Sequence, residues 1–566
     1  MTIFETKRAS DGFLLDAEIV AAAALLSAAA VIGLATAADY GFSVDEFNAD
    51  DYGPKALAWY TSRFTDRSHF ESVEPTLWFY GPWFHMLTAY VQSLELTSRV
   101  TVRHAMTFLV GLGGIAALLP LGRLAVGRWA GLAAIVLCLT TGYLYGSLFF
   151  TPIDVPFLAA MTFATLAVVA MTRDVLPTWR GTIITGLATG LALGTRTGGF
   201  ITHAYLLGAM LLCGAEYCAR NGRLTLGYLA QMVTRFAAVI VIAWVVAIAI
   251  WPWLQIGNPL AQFKIALVHF ANMPMSYEFP HWGSVISTSN LPRSYIPAQL
   301  LARLSEAFLL LLAVALICGI ASAVSLAGEA AAEWRRDRRA GLRTGVLMLA
   351  RQRGMLVVCA AVVLPLAFLI IEHATIYDGI RHVLFVIPML AVLAGAGFCS
   401  LLPLLRHIPF TAAVTAGAYA GSLLLTLVAL HPLEYIAMNA FAGGTRGAYG
   451  RFELDYASIA ATTALRRLEQ RLDYDPRFAN DPPRVLVCIQ WREWMVKPLL
   501  RRPWKIETDP AKADFIIETQ RSRCAENLPV TLIDEVKRFD RTFAWIYAAH
   551  PEPPRVQEHE QRSLTD

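Results

Sequence analysis

About eleven long apolar runs constrain the fold of this 566-residue sequence more than any other feature. A helix of about 20 apolar residues spans the hydrocarbon core of a bilayer. The hydrophobic fraction of 56%, the charged fraction of 16% and the mean hydropathy of +0.49 are too apolar for a soluble chain. The pattern predicts a polytopic α-helical membrane protein, with runs at about 21–37, 104–122, 129–150, 155–172, 181–195, 199–218, 233–253, 298–326, 355–374, 382–403 and 411–430.

The stretch 76–97 decides the topology. It is apolar but contains His85, Gln92 and Glu95 and is rich in Trp and Tyr, which favours a helix in the membrane interface. If it does not cross, all the arginine-rich loops fall on the inner side, as the positive-inside tendency requires. We therefore predict an interfacial helix there. The loops concerned contain Arg123/Arg128, Arg173/Arg180, Arg220/Arg223, Arg335–Arg353 and Arg406.

The predicted domain boundary lies near residue 430. Residues 1–430 form the transmembrane domain, with outer loops at 39–103 (carrying interfacial helices) and 254–297. Residues 431–566 are polar and contain the short strand-like runs RVLVCIQ, DFIIET and FAWIYAAH, which predict a small extracytoplasmic α/β domain. Cys488 and Cys524 lie in this domain, and their spacing leaves open whether they form a disulfide.

On this topology, acidic and basic side chains collect at the outer ends of separate spans. Taken singly, each has a structural explanation: the carboxylates as helix caps or a solvated acidic loop, the arginines as snorkelling residues. Their convergence on one side, while the opposite loops are merely basic, instead favours a functional site. The residues are Asp45, Glu46, Asp154, Arg196, Asp378, Arg381 and His382.

These residue types suit chemistry on a lipid phosphate. Arginines bind phosphate bidentately and stabilise negative charge on a departing phosphate. A nearby carboxylate can accept the proton of an attacking hydroxyl. The set therefore predicts transfer of a group from a lipid phosphate to an alcohol or amine. The sequence contains no Walker motif, no GxGxxG and no Cys/His metal signature.

Several motifs resemble one family. VDEFNADDYG follows the first run, PIDVPF precedes the fourth, GLALGTRTGG ends the fifth and DGIRHVLFVIPMLAVLAG begins the tenth. HPLEYIAMNAFAGGTRGAYGRFELDY follows the last run. Over residues 15–455 the chain resembles integral-membrane glycosyltransferases of the GT-C superfamily, in the branch of protein O-mannosyltransferases and lipid A aminoarabinose transferases.

The resemblance implies residue roles. Asp45 corresponds to the general base, with Glu46 beside it, and Asp154 to the second acidic residue, which arranges the acceptor or a metal. Arg196 corresponds to a lipid-phosphate contact, and Arg381, followed by His382, lies in a similar place at the tenth span. The chain departs from the lipid A branch at Glu74-Pro75, where that branch has Lys-Pro, and this removes one expected phosphate contact.

The predicted function is inverting transfer of a monosaccharide from a polyprenyl-phosphate donor to a lipid, glycan or protein acceptor. The predicted location is the bacterial inner membrane, with the site on the periplasmic side and no nucleic-acid partner. A divalent metal is left open as the only cofactor. The alternative is a transporter or flippase for a lipid-linked or anionic solute, which would place charges near the bilayer midplane.

Overall fold

A computed structural model describes residues 16–549 except 72–75, 274, 473–474, 476–477, 479–480, 489–495 and 503. Most of this chain is helical, as the apolar runs predict. The first eleven helices are α1 (Ala17–Thr36), α2 (Val44–Thr61), α3 (Trp83–Gln92), α4 (Arg99–Ala116), α5 (Leu118–Ala125), α6 (Ala130–Thr140), α7 (Gly142–Phe150), α8 (Asp154–Met171), α9 (Trp179–Thr195), α10 (Ile201–Asn221) and α11 (Leu226–Ile250).

The second half of the membrane part begins with two short helices and a β-hairpin, and then returns to long helices. Its elements are α12 (Pro252–Gln255), α13 (Pro259–Ala271), β1 (Glu278–His281), β2 (Ser284–Ser287), α14 (Tyr295–Arg303), α15 (Glu306–Arg336), α16 (Arg338–Arg351), α17 (Arg353–Ile371), α18 (Ile387–Leu405) and α19 (Pro409–Leu430).

The number of spans is close to the prediction. Nine helices of the described chain are long and apolar enough to cross a membrane, or ten if α6 and α7, bent by 72° between them, form one span. The remaining predicted run, at 181–195, forms α9, which has 17 residues and is about 26 Å long. The predicted polytopic helical fold is confirmed, with a bend where 129–150 was expected to be one straight span.

The single run predicted at 298–326 is divided between two helices, α14 and α15. Leu304 is extended and ends α14, and the Ser305 side chain then caps α15 by accepting a hydrogen bond from the backbone N–H of Phe308. The long helix therefore begins at Glu306 and continues to Arg336, beyond the end of the apolar run. A capping residue inside an apolar stretch sets this boundary, and hydropathy does not detect it.

The stretch predicted to be interfacial contains a short 3₁₀ helix, Leu77–Phe79, and the ten-residue helix α3, which is about 15 Å long and too short to cross. At the N-terminal end of α1, the Asp16 carboxylate accepts hydrogen bonds from Arg123 and Arg128. At the C-terminal end of α1, Arg466 of the C-terminal segment donates to the backbone carbonyl oxygens of Ala38 and Asp39. The other predicted arginine loops follow α8, α10, α15 and α18. Helices α8, α10 and α18 begin near the cavity described below, and α15 begins at Glu306, whose carboxylate accepts from the backbone N–H of Ala440 in the segment after α19. These loops therefore lie at the opposite end of the bundle from the C-terminal segment.

The chain after α19 forms the predicted small α/β domain. Its sheet has the order β4-β3-β5-β7-β6, in which β3 runs parallel to β4 and β5 while β7 is antiparallel to β5 and β6. A disulfide joins Cys488, at the end of β3, to Cys524, beyond β5. The elements are α20 (Gly444–Ala448), α21 (Ala460–Leu472), β3 (Arg484–Cys488), β4 (Lys505–Ile506), β5 (Phe515–Thr519), β6 (Thr531–Arg538) and β7 (Arg541–Ala548).

Candidate active site

A cavity of about 340 Å³ lies where the membrane helices meet the C-terminal domain. Its membrane side is formed by the starts of α2 and α8, the end of α9 and the segment before α18. Its other wall comes from the first turns of α21, the end of β3 and the segment after β5. Of the seven polar residues that the sequence places at the outer ends of the spans, all but Glu46 line this one cavity: Asp45, Asp154, Arg196, Asp378, Arg381 and His382.

Asp45 lies in the first turn of α2, in the stretch predicted as part of an outer loop. A capping box starts this helix: the Ser43 side chain accepts from the backbone N–H of Glu46, and the Glu46 carboxylate accepts from the backbone N–H of Ser43 at 2.9 Å. The positive end of the helix dipole favours a carboxylate at this position. Local sequence therefore fixes Asp45 at the rim of the cavity.

Glu46 does not line the cavity. Its side chain is fully buried, and its second carboxylate oxygen lies 2.9 Å from Nε2 of His104 on α4. The Nδ1 atom of His104 lies 2.8 Å from the carbonyl oxygen of Ala37, at the end of α1. Of the acidic pair, Asp45 thus faces the cavity while Glu46 fastens the start of α2 to α1 and α4.

Asp154 and Arg196 form a buried ion pair. The Arg196 guanidinium donates to Asp154 Oδ1 at 2.6 Å, and the two side chains are 15% and 4% exposed. Asp154 begins α8 but caps no backbone N–H there, so its carboxylate serves the ion pair instead of the helix end. Arg196 also lies over the ring of Tyr80, 5.5 Å from the centroid. Such burial is unlike a snorkelling arginine, whose head stays in water.

The glycines of the GLALGTRTGG region explain the position of Arg196. Gly186, Gly190 and Gly194 recur every fourth residue on the face of α9 that packs on α11. A Cβ atom at Gly190 would lie 2.7 Å from Cβ of Val246, so only glycine allows this approach. Close packing on α11 thereby brings the end of α9, and Arg196 after it, to the cavity.

Arg381 connects the acidic residues of the cavity. Its guanidinium pairs with Asp45, lies 3.9 Å from Asp154 Oδ2 and, through Nε, 3.1 Å from Asp378 Oδ2. It also lies over the ring of Tyr377. The Arg381 side chain is only 10% exposed. His382 lines the same cavity and contacts Tyr377 edge to face at 4.5 Å between ring centroids.

Three residues make contacts in the cavity to which the sequence analysis assigned no role. Asp378 was grouped with the outer polar residues without a role, and Tyr277 lies in the aromatic loop NMPMSYEFPHWGS. No sequence pattern indicated a role for Arg521, because it comes from the C-terminal domain, 143 residues away from its partner Asp378. Burial, followed by the Asp378 carboxylate, raises the pKa of Tyr277, so its hydroxyl remains a neutral donor.

Among the described residues, the charges that line the cavity balance. Three carboxylates and three guanidiniums line it: Asp45, Asp154, Asp378, Arg196, Arg381 and Arg521. Each carboxylate already has a guanidinium partner. The donor set therefore does not fit a divalent metal, which needs carboxylate oxygens free to coordinate. Within the described chain, one other group of ligand type comprises Cys488, Glu518 and Cys524, but its two sulfurs are joined as a disulfide.

Comparisons with known proteins were made for the whole chain. No family model and no curated protein sequence matches it. Among solved structures it is similar to ArnT from Cupriavidus metallidurans in the apo state, with 12% identity, 94% of this chain and 98% of that chain covered, and a TM-score of 0.49. The same protein bound to undecaprenyl phosphate gives 13% identity, 93% and 98% coverage, and a TM-score of 0.44.

A second protein in the comparison is archaeal. The oligosaccharyltransferase AglB from Archaeoglobus fulgidus, in complex with an inhibitory peptide and a dolichol-phosphate, has 12% identity and a TM-score of 0.41. The match covers 88% of this chain and 69% of that chain. Glu74 and Pro75, the point of departure from the lipid A branch, lie outside the described residues.

Proposed function

We propose that the protein transfers a monosaccharide from a polyprenyl-phosphate donor to an acceptor, with inversion at the anomeric carbon. The observation that carries this proposal is the position of Arg381. It pairs with Asp45 and lies 3.9 Å from Asp154, which Arg196 binds in turn, all within one cavity. A phosphate site and a general base are thereby adjacent, at helix ends where the headgroup of a membrane lipid would lie.

Arg196 and Arg381 are the proposed phosphate ligands. Both are buried guanidiniums, and a buried charge-assisted hydrogen bond to phosphate is stronger than the same contact in water. As the bond between the anomeric carbon and the phosphate oxygen breaks, negative charge grows on the phosphate, and the two guanidiniums stabilise it. Polyprenyl phosphate then leaves without needing a proton.

Asp45 is the proposed general base. As the oxygen or nitrogen of the acceptor bonds to the anomeric carbon, Asp45 accepts its proton. Arg381 pairs with Asp45 in this structure. A donor phosphate that takes over the Arg381 guanidinium would release the Asp45 carboxylate, so that the base becomes available when the donor is bound. Asp154 orients Arg196, and Glu46 acts by holding the start of α2.

The periplasmic side of a bacterial inner membrane is the proposed location of the site. Two observations support it. The arginine-rich loops lie at the opposite end of the bundle, which fits an inner side. The disulfide between Cys488 and Cys524 belongs to the domain that covers the cavity, and disulfides persist in oxidising compartments.

The test uses the purified full chain in liposomes, with a panel of radiolabelled polyprenyl-phosphate sugars and candidate lipid, glycan and peptide acceptors. We expect release of polyprenyl phosphate together with transfer of label, and loss of both in Asp45→Asn. Asp51→Asn is the matched control, because Asp51 lies on the same helix outside the cavity and pairs with Lys55. Movement of the intact donor across the bilayer without release of polyprenyl phosphate would instead establish a transporter.

A further inference from the structure

Arg521 enters the cavity from the C-terminal domain. Its guanidinium donates to Asp378 Oδ1 at 2.8 Å and to the carbonyl oxygen of Tyr456 at 2.6 Å. It also lies over the ring of Tyr277, 5.0 Å from the centroid. The side chain is 19% exposed, so this is a largely desolvated contact between two parts of the chain.

Asp378, the partner of Arg521, is held in an unusual backbone conformation. Its φ is 58°, in the left-handed region that few residues other than glycine adopt, and Gly379 follows with a φ of 71°. The hydroxyls of Tyr143 and Tyr295 fix this turn by donating to the carbonyl oxygens of Asp378 and Gly379, each at 3.2 Å. Strained backbone that its surroundings hold in this way concentrates at functional sites.

The Asp378 carboxylate connects the two domains. Oδ1 accepts from Arg521 and, at 2.9 Å, from the Tyr277 hydroxyl, while Oδ2 lies 3.1 Å from Nε of Arg381. Arg381 is one of the two proposed phosphate ligands. The orientation of its guanidinium therefore depends on a carboxylate that the C-terminal domain holds from the other side.

The disulfide keeps the Arg521 segment against the sheet. Cys524 follows Arg521 by three residues and is bonded to Cys488, the neighbour of the cavity residue Val487. Glu518, at the end of β5, accepts hydrogen bonds from the backbone N–H groups of Cys524 and Ala525 at 2.7 and 2.6 Å. The segment that bears Arg521 is thus fixed at both of its ends.

We propose that Arg521 is a positioning residue, which acts through Asp378 to orient Arg381 and so completes the donor-phosphate site from the C-terminal domain. This inference rests on the proposed function. A purely structural Arg521 would only hold the domain against the membrane part. The two roles differ in what they change, because a positioning role alters the affinity for the donor while a structural role alters thermal stability.

The experiment compares Arg521→Ala, Arg521→Lys and the control Arg523→Ala. Arg523 is exposed, lies over the Trp545 ring and does not line the cavity. We expect Arg521→Ala to raise the KM for the donor about tenfold to a hundredfold, as for loss of a charge-assisted hydrogen bond, and Arg521→Lys to restore part of the loss. The Arg523→Ala variant should keep the wild-type KM.

A double variant sharpens the test. Asp378→Asn combined with Arg521→Ala should be no worse than Asp378→Asn alone, because both changes remove the same contact. A wild-type KM in Arg521→Ala, with or without a lower Tm, would overturn the inference while leaving the proposed function intact.

A second readout does not depend on turnover. Binding of polyprenyl phosphate alone, followed by tryptophan fluorescence, should weaken in Arg521→Ala and stay unchanged in Arg523→Ala. If the wild type binds polyprenyl phosphate but transfers no sugar, the proposed function fails separately. Equal binding by both variants and the wild type would overturn the role of Arg521.

Discussion

Asp45 is the residue on which the proposed reaction depends most directly. Asp45→Asn keeps the size of the side chain but removes its basicity, so we expect kcat to fall by about 10²- to 10⁴-fold. Binding of polyprenyl phosphate should persist, because Arg196 and Arg381 remain. Asp51→Asn, on the same helix but outside the cavity, should retain wild-type turnover. Near wild-type turnover in Asp45→Asn would remove this residue from the mechanism.

A change of arginine to lysine distinguishes an arginine that binds phosphate from one that only anchors a helix end in the membrane interface. Arg196→Lys and Arg381→Lys keep the charge but lose the planar fork, so kcat/KM should fall by about one to two orders of magnitude. An arginine that merely snorkels would tolerate lysine. Steady-state kinetics of the Lys and Ala variants, with Tm as a folding check, decides the matter. Normal kcat/KM in both Lys variants would place the phosphate elsewhere.

At the scale of residues, the sequence predicted which polar side chains lie together better than it predicted their contacts. Asp45, Asp154, Arg196, Arg381 and His382 share one cavity, because each follows or begins a helix whose end the apolar pattern located. The separation of Glu46 from Asp45 could not be predicted. It depends on which side of α2 faces His104, and this is a tertiary contact.

At the scale of elements, α9 shows how packing between helices positions Arg196, a proposed phosphate ligand. Gly190→Ala places a Cβ atom 2.7 Å from Cβ of Val246, so α9 must move away from α11. We expect a lower Tm and a lower kcat/KM, since Arg196 moves with α9. Gly208→Ala on α10, where no atom lies within 4 Å of the new methyl group, is the matched control. Equal Tm values for the two variants would contradict close α9–α11 packing.

The differences between predicted and observed elements have local causes. Hydropathy located the apolar runs, but it does not detect a bend such as that between α6 and α7 or a cap such as Ser305. The outer loop 39–103 was predicted to carry interfacial helices without bounds, and the start of α2 within it is set by a capping box. Sequence patterns thus predicted which stretches are apolar, while capping and packing determine where helices end.

At the scale of the whole molecule, stability depends on the protonation of buried acids, and Asp455 is one of them, in the segment between α20 and α21. It accepts hydrogen bonds from the Tyr435 hydroxyl and the backbone N–H groups of Ile459 and Ala460. Burial raises its pKa from the ordinary 3.8 to about 7. The native state therefore binds this proton more tightly than the unfolded chain, and the resulting stability is complete below pH of about 4 and lost as pH rises through about 7.

We expect the Tm of the wild type to increase when pH is lowered from 8 to 5.5, and the increase to be smaller in Asp455→Asn, which does not titrate. Some pH dependence should remain, because burial, together with the neighbouring Asp378 carboxylate, also raises the pKa of Glu453 to about 7. Thermal unfolding in detergent at several pH values measures the difference. An identical pH dependence in the two proteins would show that Asp455 does not titrate in this range.

The described residues that line the cavity include three carboxylates and three guanidiniums, and this balance has a kinetic consequence. A site without net charge does not attract an anionic ligand over long distances, so electrostatic steering adds little to the encounter rate. A donor anchored in the bilayer has no need of steering, since it arrives by lateral diffusion within the membrane plane. Raising the ionic strength should accordingly leave the rate of donor capture almost unchanged. In an enzyme that attracts soluble anions by a basic surface, the same change would lower the rate of substrate binding.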